Sequence, residues 1–328
     1  MIVDSTPLTL ANVPAKFDKL LYVGISKQHK DVCKTRDLRQ ALDMLGADWR
    51  AAWDRFDEMP STDTNNILAA YRNQCVGLQA GLAAASVSEP TYQAAFRALA
   101  EVVQEYVTAH SGTPALYWFD THRANIKRPE GTPRKPDGCF SVDPVRHEWQ
   151  DIAVVVEIKD HLMDGTADHP RGQIVQDMID MAEINPRRFM LGLTLGKGHA
   201  IHLYVCVPGG IYIAELGSLP SAASDDPNEH ERRVVAFLLF LHRQYHNDRG
   251  YLTAERICIP GLFDLANIVG AATDARSTRS SWKTVSLTPD NGVLGRHRHL
   301  KGQRTWVYPA KVTSPKATAN AYFKFQWA

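Results

Sequence analysis

A run of five apolar residues, Ile152–Val156, leads directly into Glu157, Ile158 and Lys159 and restricts the fold more than any other feature. Such a continuous run is typical of a strand that is covered on both faces. Alternation along a strand places Glu157 and Lys159 on one face, while Ile158 points into a core on the other. Buried charges are costly unless they have partners. The run therefore predicts a central strand that ends in a polar site.

Helical spacing of apolar residues dominates the first third of this 328-residue chain, in which 44% of residues are hydrophobic and 22% charged. These globular values allow a proper core. Ser88 is a capping residue, and Pro90 fits the first turn of a helix that ends near His110–Gly112. We expect a helical region over 1–110 whose last helix packs on the core and whose residues 1–30 form an extended or loosely docked arm. The spacing predicts helices over 34–58, 65–85 and 88–110.

After residue 111, short strands replace the long helices. We expect an α/β (α+β) fold in which 111–250 forms a mixed sheet flanked by helices and 251–328 is a linker followed by β-like pieces. The predicted strands are 115–119, 137–142, 151–159, 189–195, 201–207, 211–216, 305–311 and 321–327, and the predicted helices are 173–184 and 234–245. The last of these helices carries His242 among its apolar positions. Its i, i+4 spacing to His246 would allow the two histidines to bind a metal ion, and the alternative is that they are core or surface residues.

Asp137 follows Lys135 and Pro136 on the short strand that precedes the apolar run. If the two strands form a hairpin, Asp137 reaches the same point as Glu157. Two carboxylates suit Mg²⁺ or Mn²⁺, so both are metal-ligand candidates. Lys159 is the third catalytic candidate, because it can orient a water, act on its proton or neutralise charge on a phosphate. A simple surface pair of Glu157 and Lys159 stays open as the alternative.

The polar loop 121–136 leads into Asp137 and is rich in basic side chains. The formal net charge of +1 is low for a dedicated nucleic-acid binder, so any such contact must come from a local patch. The loop is our candidate for this patch, because its cations can steer a phosphate backbone towards the metal. The candidate nucleic-acid residues are Lys127, Arg128, Arg134 and Lys135.

The five cysteines are odd in number and show no zinc-binding spacing, which favours reduced thiols. The amino terminus lacks the features of a secretory signal, and no stretch approaches ~18 consecutive apolar residues. We therefore expect an intracellular protein, cytoplasmic or nuclear, which is not secreted and has no membrane partner. The oligomeric state stays open.

The Pro136-Asp137 and Glu157-Ile158-Lys159 pattern resembles the PD-(D/E)xK nuclease-like superfamily. The resemblance implies a core of one helix, three to four mixed strands and a second helix. It also implies a supporting Gln on the second helix, which corresponds to Gln173 as a further catalytic candidate. Some members add a Glu from the first helix to the site, and Glu101 and Glu105 are the candidates here. The alternative is that both are solvated surface charges.

A second resemblance, to the nuclease-like region that precedes the kinase domain in the fungal-type protein kinase family, covers much of the chain. The tail resembles early strands of that family's kinase small lobe. The sequence contains neither a His-Arg-Asp loop nor an Asp-Phe-Gly motif, so kinase activity is not expected from this chain. The resemblance rests on Lys135–Phe140, Val154–Lys159, Asn185–Phe189, Leu191–Leu195, Gly209–Ile213, Arg233–Leu241, Gly302–Ala310 and Tyr322–Trp327.

Two functions therefore stay open. The first is a metal-dependent nuclease, or a relative that binds DNA or RNA, and the intact Asp137, Glu157 and Lys159 favour it. The second is a non-catalytic interaction or regulatory module with a protein partner, which the near-neutral charge and the kinase-family resemblance favour. An open cleft between the two carboxylates would support the first, and a closed core the second.

Overall fold

A computed structural model describes the greater part of the chain between residues 33 and 247, together with three strands near the carboxyl terminus. The described residues are 33–57, 62–84, 86–112, 114–121, 126, 135–145, 148–149, 151–159, 173–178, 181, 187, 189–207, 210–221, 227–247, 284–287, 305–313 and 318–326. The expected arm over 1–30 lies outside them. The fold is mixed α/β, as predicted.

The helices of the first third are more broken than the periodicity predicts. A single helix over 34–58 is wrong, because β1 occupies Cys33–Thr35 and Gly46 adopts a φ of 128° between two shorter helices. Glycine accepts such a backbone without steric cost, and the helix ends there. The helices are α1 Leu38–Asp43, α2 Ala47–Asp57, α3 Thr62–Gln74, α4 Gln79–Leu82, preceded by a 3₁₀ turn at Val76–Leu78, and α5 Glu89–Ser111.

Helix α5 begins and ends as predicted. The Ser88 side chain accepts a hydrogen bond from the Thr91 backbone N–H, and Pro90 lies in the first turn. Gly112 ends the helix with a φ of 79°, and its N–H donates to the Thr108 carbonyl. Satisfying the free backbone groups at both ends stabilises a long helix whose first turn approaches the end of the sheet.

The central sheet consists of β1 and six further strands, β2 Tyr117–Asp120, β3 Gly138–Ser141, β4 Ile152–Ile158, β5 Met190–Leu195, β6 Ala200–Val207 and β7 Gly210–Ser218. Their order in the sheet is β1-β7-β6-β5-β4-β3-β2. Pairing is parallel between β1 and β7 and between β4 and β5, and antiparallel elsewhere. The predicted central strand β4 is buried along its whole length.

Helices cover both faces of this sheet. Val154, Val156 and Ile158 share one hydrophobic cluster with the five N-terminal helices and with helix α7, Glu229–Asn247. Val155 belongs to a second cluster on the opposite face, which the helix over 173–178, here α6, covers. The side-chain alternation of β4 therefore separates a larger helical layer from a smaller one, and Glu157 points towards the smaller.

Three further strands form a second, antiparallel sheet in the order β10-β9-β8. Two of them correspond to the predicted β-like pieces of the tail, and β8 was not predicted. These strands are β8 Thr284–Leu287, β9 Thr305–Thr313 and β10 Thr318–Gln326. Among the helices that the structure describes, none has the length and apolar character needed to cross a bilayer.

Candidate functional site

Asp137 occupies the end of the β3–β4 ladder. Gly138 is the Cα partner of Val156, so Asp137 stands where backbone pairing of the two strands stops. Its Oδ2 accepts hydrogen bonds from the Ile158 backbone N–H at 2.7 Å and from Lys159 Nζ at 3.1 Å. The carboxylate thus replaces a missing backbone acceptor, and this contact fixes it beside the end of β4.

The residue after Asp137 has a packing role that the sequence does not reveal. A Cβ atom at Gly138 would overlap the ring of Trp118 on the neighbouring strand β2. The indole lies across the glycine backbone and packs against Phe140 and Phe96. The absence of a side chain at residue 138 therefore allows the Trp118 ring to lie against β3 next to Asp137.

Glu157 is fully buried, with 0% of its surface exposed. Its Oε1 accepts a hydrogen bond of 2.9 Å from Gln173 Nε2 at the start of α6. Its Oε2 accepts no hydrogen bond and has the Lys159 ammonium at 3.8 Å. Burial raises the pKa of Glu157 well above its ordinary value, and the charges of Asp177 and Asp137 raise it further, against the opposing effect of Lys159.

Lys159 links the sheet to helix α5. Its Nζ lies 3.1 Å from Asp137 Oδ2 and 3.3 Å from Glu89 Oε1, in addition to its contact with Glu157. Burial opposes the charge on the lysine, but the three carboxylates outweigh burial and raise the pKa of Lys159 above its ordinary value. The ammonium therefore stays protonated at neutral pH, which favours charge neutralisation over proton abstraction among the predicted roles.

The structure brings together all four predicted catalytic residues, Asp137, Glu157, Lys159 and Gln173. The outcome differs for the basic loop. Lys135 is exposed two residues before Asp137. The other candidate nucleic-acid residues, Lys127, Arg128 and Arg134, lie outside the described residues.

Two further site residues come from the first turn of α5. Glu89 contacts Lys159, and Gln93 Nε2 donates to Asp137 Oδ1 at 3.3 Å and to Glu89 Oε1 at 3.4 Å. Sequence reasoning placed the helix glutamate at Glu101 or Glu105 instead. Glu101 lies about 18 Å further along the helix, beside Arg97. The i, i+4 spacing of Glu89 and Gln93 next to the capping Ser88 was a usable signal.

A third residue that sequence reasoning missed is Asp177 on α6, which is 1% exposed. It lies one turn after Gln173, so both side chains share the face of α6 that meets Glu157. Its charge and a hydrogen bond to Glu157 are among the causes that raise the pKa of Glu157. The site therefore has acidic groups on both sides of the sheet end, and Lys159 is the cation that contacts three of them.

The residues of this site fit a hard divalent cation in part. In the part of the chain that the structure describes, no three His, Cys, Asp or Glu side chains form a metal-binding group by themselves. Mg²⁺ commonly takes one or two carboxylates and keeps several waters. The buried Oε2 of Glu157, which lacks a hydrogen-bond donor, is the observation that fits such an ion.

Close packing of α6 on β5 holds Gln173 at the site. A Cβ atom at Gly192 would lie 2.8 Å from Cγ1 of Ile174, the residue that follows Gln173 in sequence. We expect Gly192→Ala to push α6 outwards and to lower the free energy of unfolding by about 1–3 kcal/mol. Urea unfolding followed by circular dichroism measures this, with Gly77→Ala as the control because a Cβ there meets nothing within 4 Å. Equal stability of the two variants would contradict the packing role.

A cavity of about 230 Å³ lies among α4, the end of β7 and the start of α7. Its lining includes Gln79, His199, Ser218, Asn228 and Glu231 and none of the four predicted catalytic residues. Tyr92 on α5 packs edge-on against His199, with ring centroids 5.4 Å apart. The first turns of α5 therefore contact the lining of this cavity through Tyr92 and the Lys159 cluster through Glu89 and Gln93.

No model of a known protein family matches the chain. No curated protein and no solved structure matches it either. The resemblances to the PD-(D/E)xK superfamily and to the fungal-type protein kinase family therefore stay predictions that rest on the residues given above.

Proposed function

We propose that the chain is a divalent-cation-dependent, nuclease-like protein that hydrolyses a phosphodiester bond of DNA or RNA at the end of β4. One observation carries the proposal. Asp137, Glu157, Lys159 and Gln173 come from three separate segments and meet in one cluster of hydrogen bonds and ion pairs. Structural salt bridges seldom need two carboxylates, an amide and a lysine at the end of a buried strand, because such burial is costly.

The chemistry follows from the side chains. Mg²⁺ or Mn²⁺ held by Asp137 and Glu157 would supply a Lewis acid for a phosphoryl oxygen. Lys159 stays protonated and stabilises the negative charge that grows on the phosphate as water attacks. A bond forms between the water oxygen and phosphorus as the P–O bond to the leaving nucleotide breaks. The attacking water loses one proton to solvent, and the leaving oxygen takes up one proton from solvent. Gln173 orients Glu157 throughout.

A second candidate is a non-catalytic interaction or regulatory module, and the burial of Glu157 favours it. Glu157 is 0% exposed, and Asp137 is only 9% exposed. A substrate phosphate must reach these groups from the edge at which Lys159 retains partial exposure. If it does not, the cluster stabilises a scaffold of the kind that precedes the kinase domain in the fungal-type protein kinase family.

The two candidates are separated by incubating the chain with single- and double-stranded DNA and RNA in Mg²⁺ or Mn²⁺. We expect cleavage that EDTA abolishes and that Glu157→Gln lowers by at least about 100-fold. Glu215→Gln is the matched control, since Glu215 is an exposed glutamate on the same sheet. Cleavage that persists in Glu157→Gln would assign the activity to a contaminant. No cleavage of any substrate would favour the scaffold role.

A further inference from the structure

A polar group on β5 lies beside Glu157 with no assigned role. Thr194 is the Cα partner of Glu157 in the parallel pairing of β4 and β5, so the two side chains lie next to each other on the α6 face. Thr194 is 1% exposed, and its Oγ1 has no hydrogen-bond partner. A buried hydroxyl without a partner loses its hydrogen bonds to water and gains none in return, so its retention calls for a physical reason.

Asp177 closes the same space from α6. It is 1% exposed, and its carboxyl is within hydrogen-bonding reach of Glu157 when one of the two is protonated. Two ionised carboxylates at this distance repel each other strongly in a buried position. A cation between them would remove the repulsion and supply the missing partner for both Glu157 Oε2 and Thr194 Oγ1.

Lys159 lies 3.8 Å from Glu157 Oε2, but its two nearer partners lie on the side of α5. Lys159 contacts Asp137 and Glu89, which lie towards α5, whereas Asp177 and Thr194 lie towards α6 and β5. A cation among Glu157, Asp177 and Thr194 would therefore not have to displace the ammonium. All three ligand atoms are oxygens, which suit Mg²⁺ or Mn²⁺ rather than a soft metal.

We propose that Asp177 and Thr194 complete the cation site, so that Mg²⁺ or Mn²⁺ binds between β4, β5 and α6 with Glu157, Asp177 and Thr194 as its protein ligands. This inference rests on the proposed function, and it assigns ligands that the Asp137 and Glu157 pattern does not include. Asp177 and Thr194 take the ligand role that the proposed function gives to Asp137, and Asp137 stays paired with Lys159 on the substrate-facing side. Because Asp177 supplies a full negative charge, its removal affects cation affinity more than removal of the Thr194 hydroxyl.

The test is direct Mn²⁺ binding to the full chain, measured from the electron paramagnetic resonance signal of free Mn²⁺. We expect one site in the unaltered chain, at least about 10-fold weaker binding in Asp177→Asn, and a smaller weakening in Thr194→Val, which keeps the shape of threonine. Asp48→Asn is the matched control, because Asp48 is an exposed aspartate on α2. Thermal melts with and without Mn²⁺ report binding independently through the cation-dependent rise in melting temperature.

The outcomes separate this inference from the proposed function. One result would be that Glu157→Gln abolishes Mn²⁺ binding, whereas Asp177→Asn and Thr194→Val bind Mn²⁺ with the same affinity as Asp48→Asn. That result would overturn the inference and leave the proposed function standing. No Mn²⁺ binding by the unaltered chain at millimolar concentration would overturn both. If Asp177→Asn does not fold, Thr194→Val decides, because unaltered affinity in that variant contradicts the assigned ligand set.

Discussion

Lys159→Met is expected to lower the free energy of unfolding by about 3 kcal/mol or more at neutral pH. The ammonium lies within 4 Å of carboxylate oxygens of Asp137, Glu157 and Glu89. Removing one partner of a buried ion pair costs about 3–5 kcal/mol, because the remaining charge is left uncompensated. Methionine keeps the length and the apolar stem of lysine, so lost packing contributes little.

The loss of stability should depend on pH and on added cations. At low pH the uncompensated carboxylates become protonated, so the difference in unfolding free energy between the variant and the unaltered chain should shrink. Mn²⁺ should recover part of the stability, since it offers positive charge to the same carboxylates. Urea unfolding at pH 5 and pH 8 measures both effects. Lys135→Met is the control, because Lys135 is exposed. An equal loss of unfolding free energy in both variants would contradict the explanation.

Substitution of His242 should remove most of a large pH dependence of stability. His242 lies on α7, is 1% exposed, and has no hydrogen-bond partner at either ring nitrogen. Burial, with a smaller effect of His246, lowers its pKa from 6.5 to about 4. The unfolded chain therefore binds a proton to this side chain below pH 6.5, whereas the folded chain does so only below about pH 4.

The sign follows from proton binding. The contribution of neutral His242 to stability is fully present above pH 6.5 and is lost as the pH falls towards 4, by about 3 kcal/mol in total. We expect His242→Leu to be at least as stable as the unaltered chain at pH 8 and clearly more stable at pH 4.5. Guanidinium unfolding across this range measures the difference. His246→Gln is the control, and parallel pH profiles for the His242→Leu variant and the unaltered chain would refute the prediction.

Much of the architecture could be predicted because local signals agreed with the final packing. The cap at Ser88 and the stop at Gly112 set the ends of α5, and the apolar run into Glu157 identified β4. Strand alternation and the hairpin then brought Lys159 and Asp137 to one point. These elements depend on residues close in sequence, where propensity and periodicity carry the information.

The missed residues depend on contacts between distant segments. Glu89 meets Lys159 across 70 residues of chain, and no periodicity encodes that meeting. Asp177 reaches Glu157 because α6 packs closely on β5, and this packing requires Gly192. Gly46 was overlooked as a helix end because the apolar stripe continues across it. Tertiary packing decides such positions, and a single sequence records them only as ordinary acidic or small residues.

The short strand β1 has a consequence for how the chain behaves among its own copies. Strand β7 is the nine-residue neighbour that β1 covers, through parallel pairing of Cys33–Thr35 with Ile211–Ile213 and a further bond from Arg36 N–H to the Ile213 carbonyl. Without that cover, β7 would offer a row of backbone donors and acceptors to any passing strand. By pairing with part of this edge, a segment of three residues therefore disfavours edge-to-edge aggregation of the sheet.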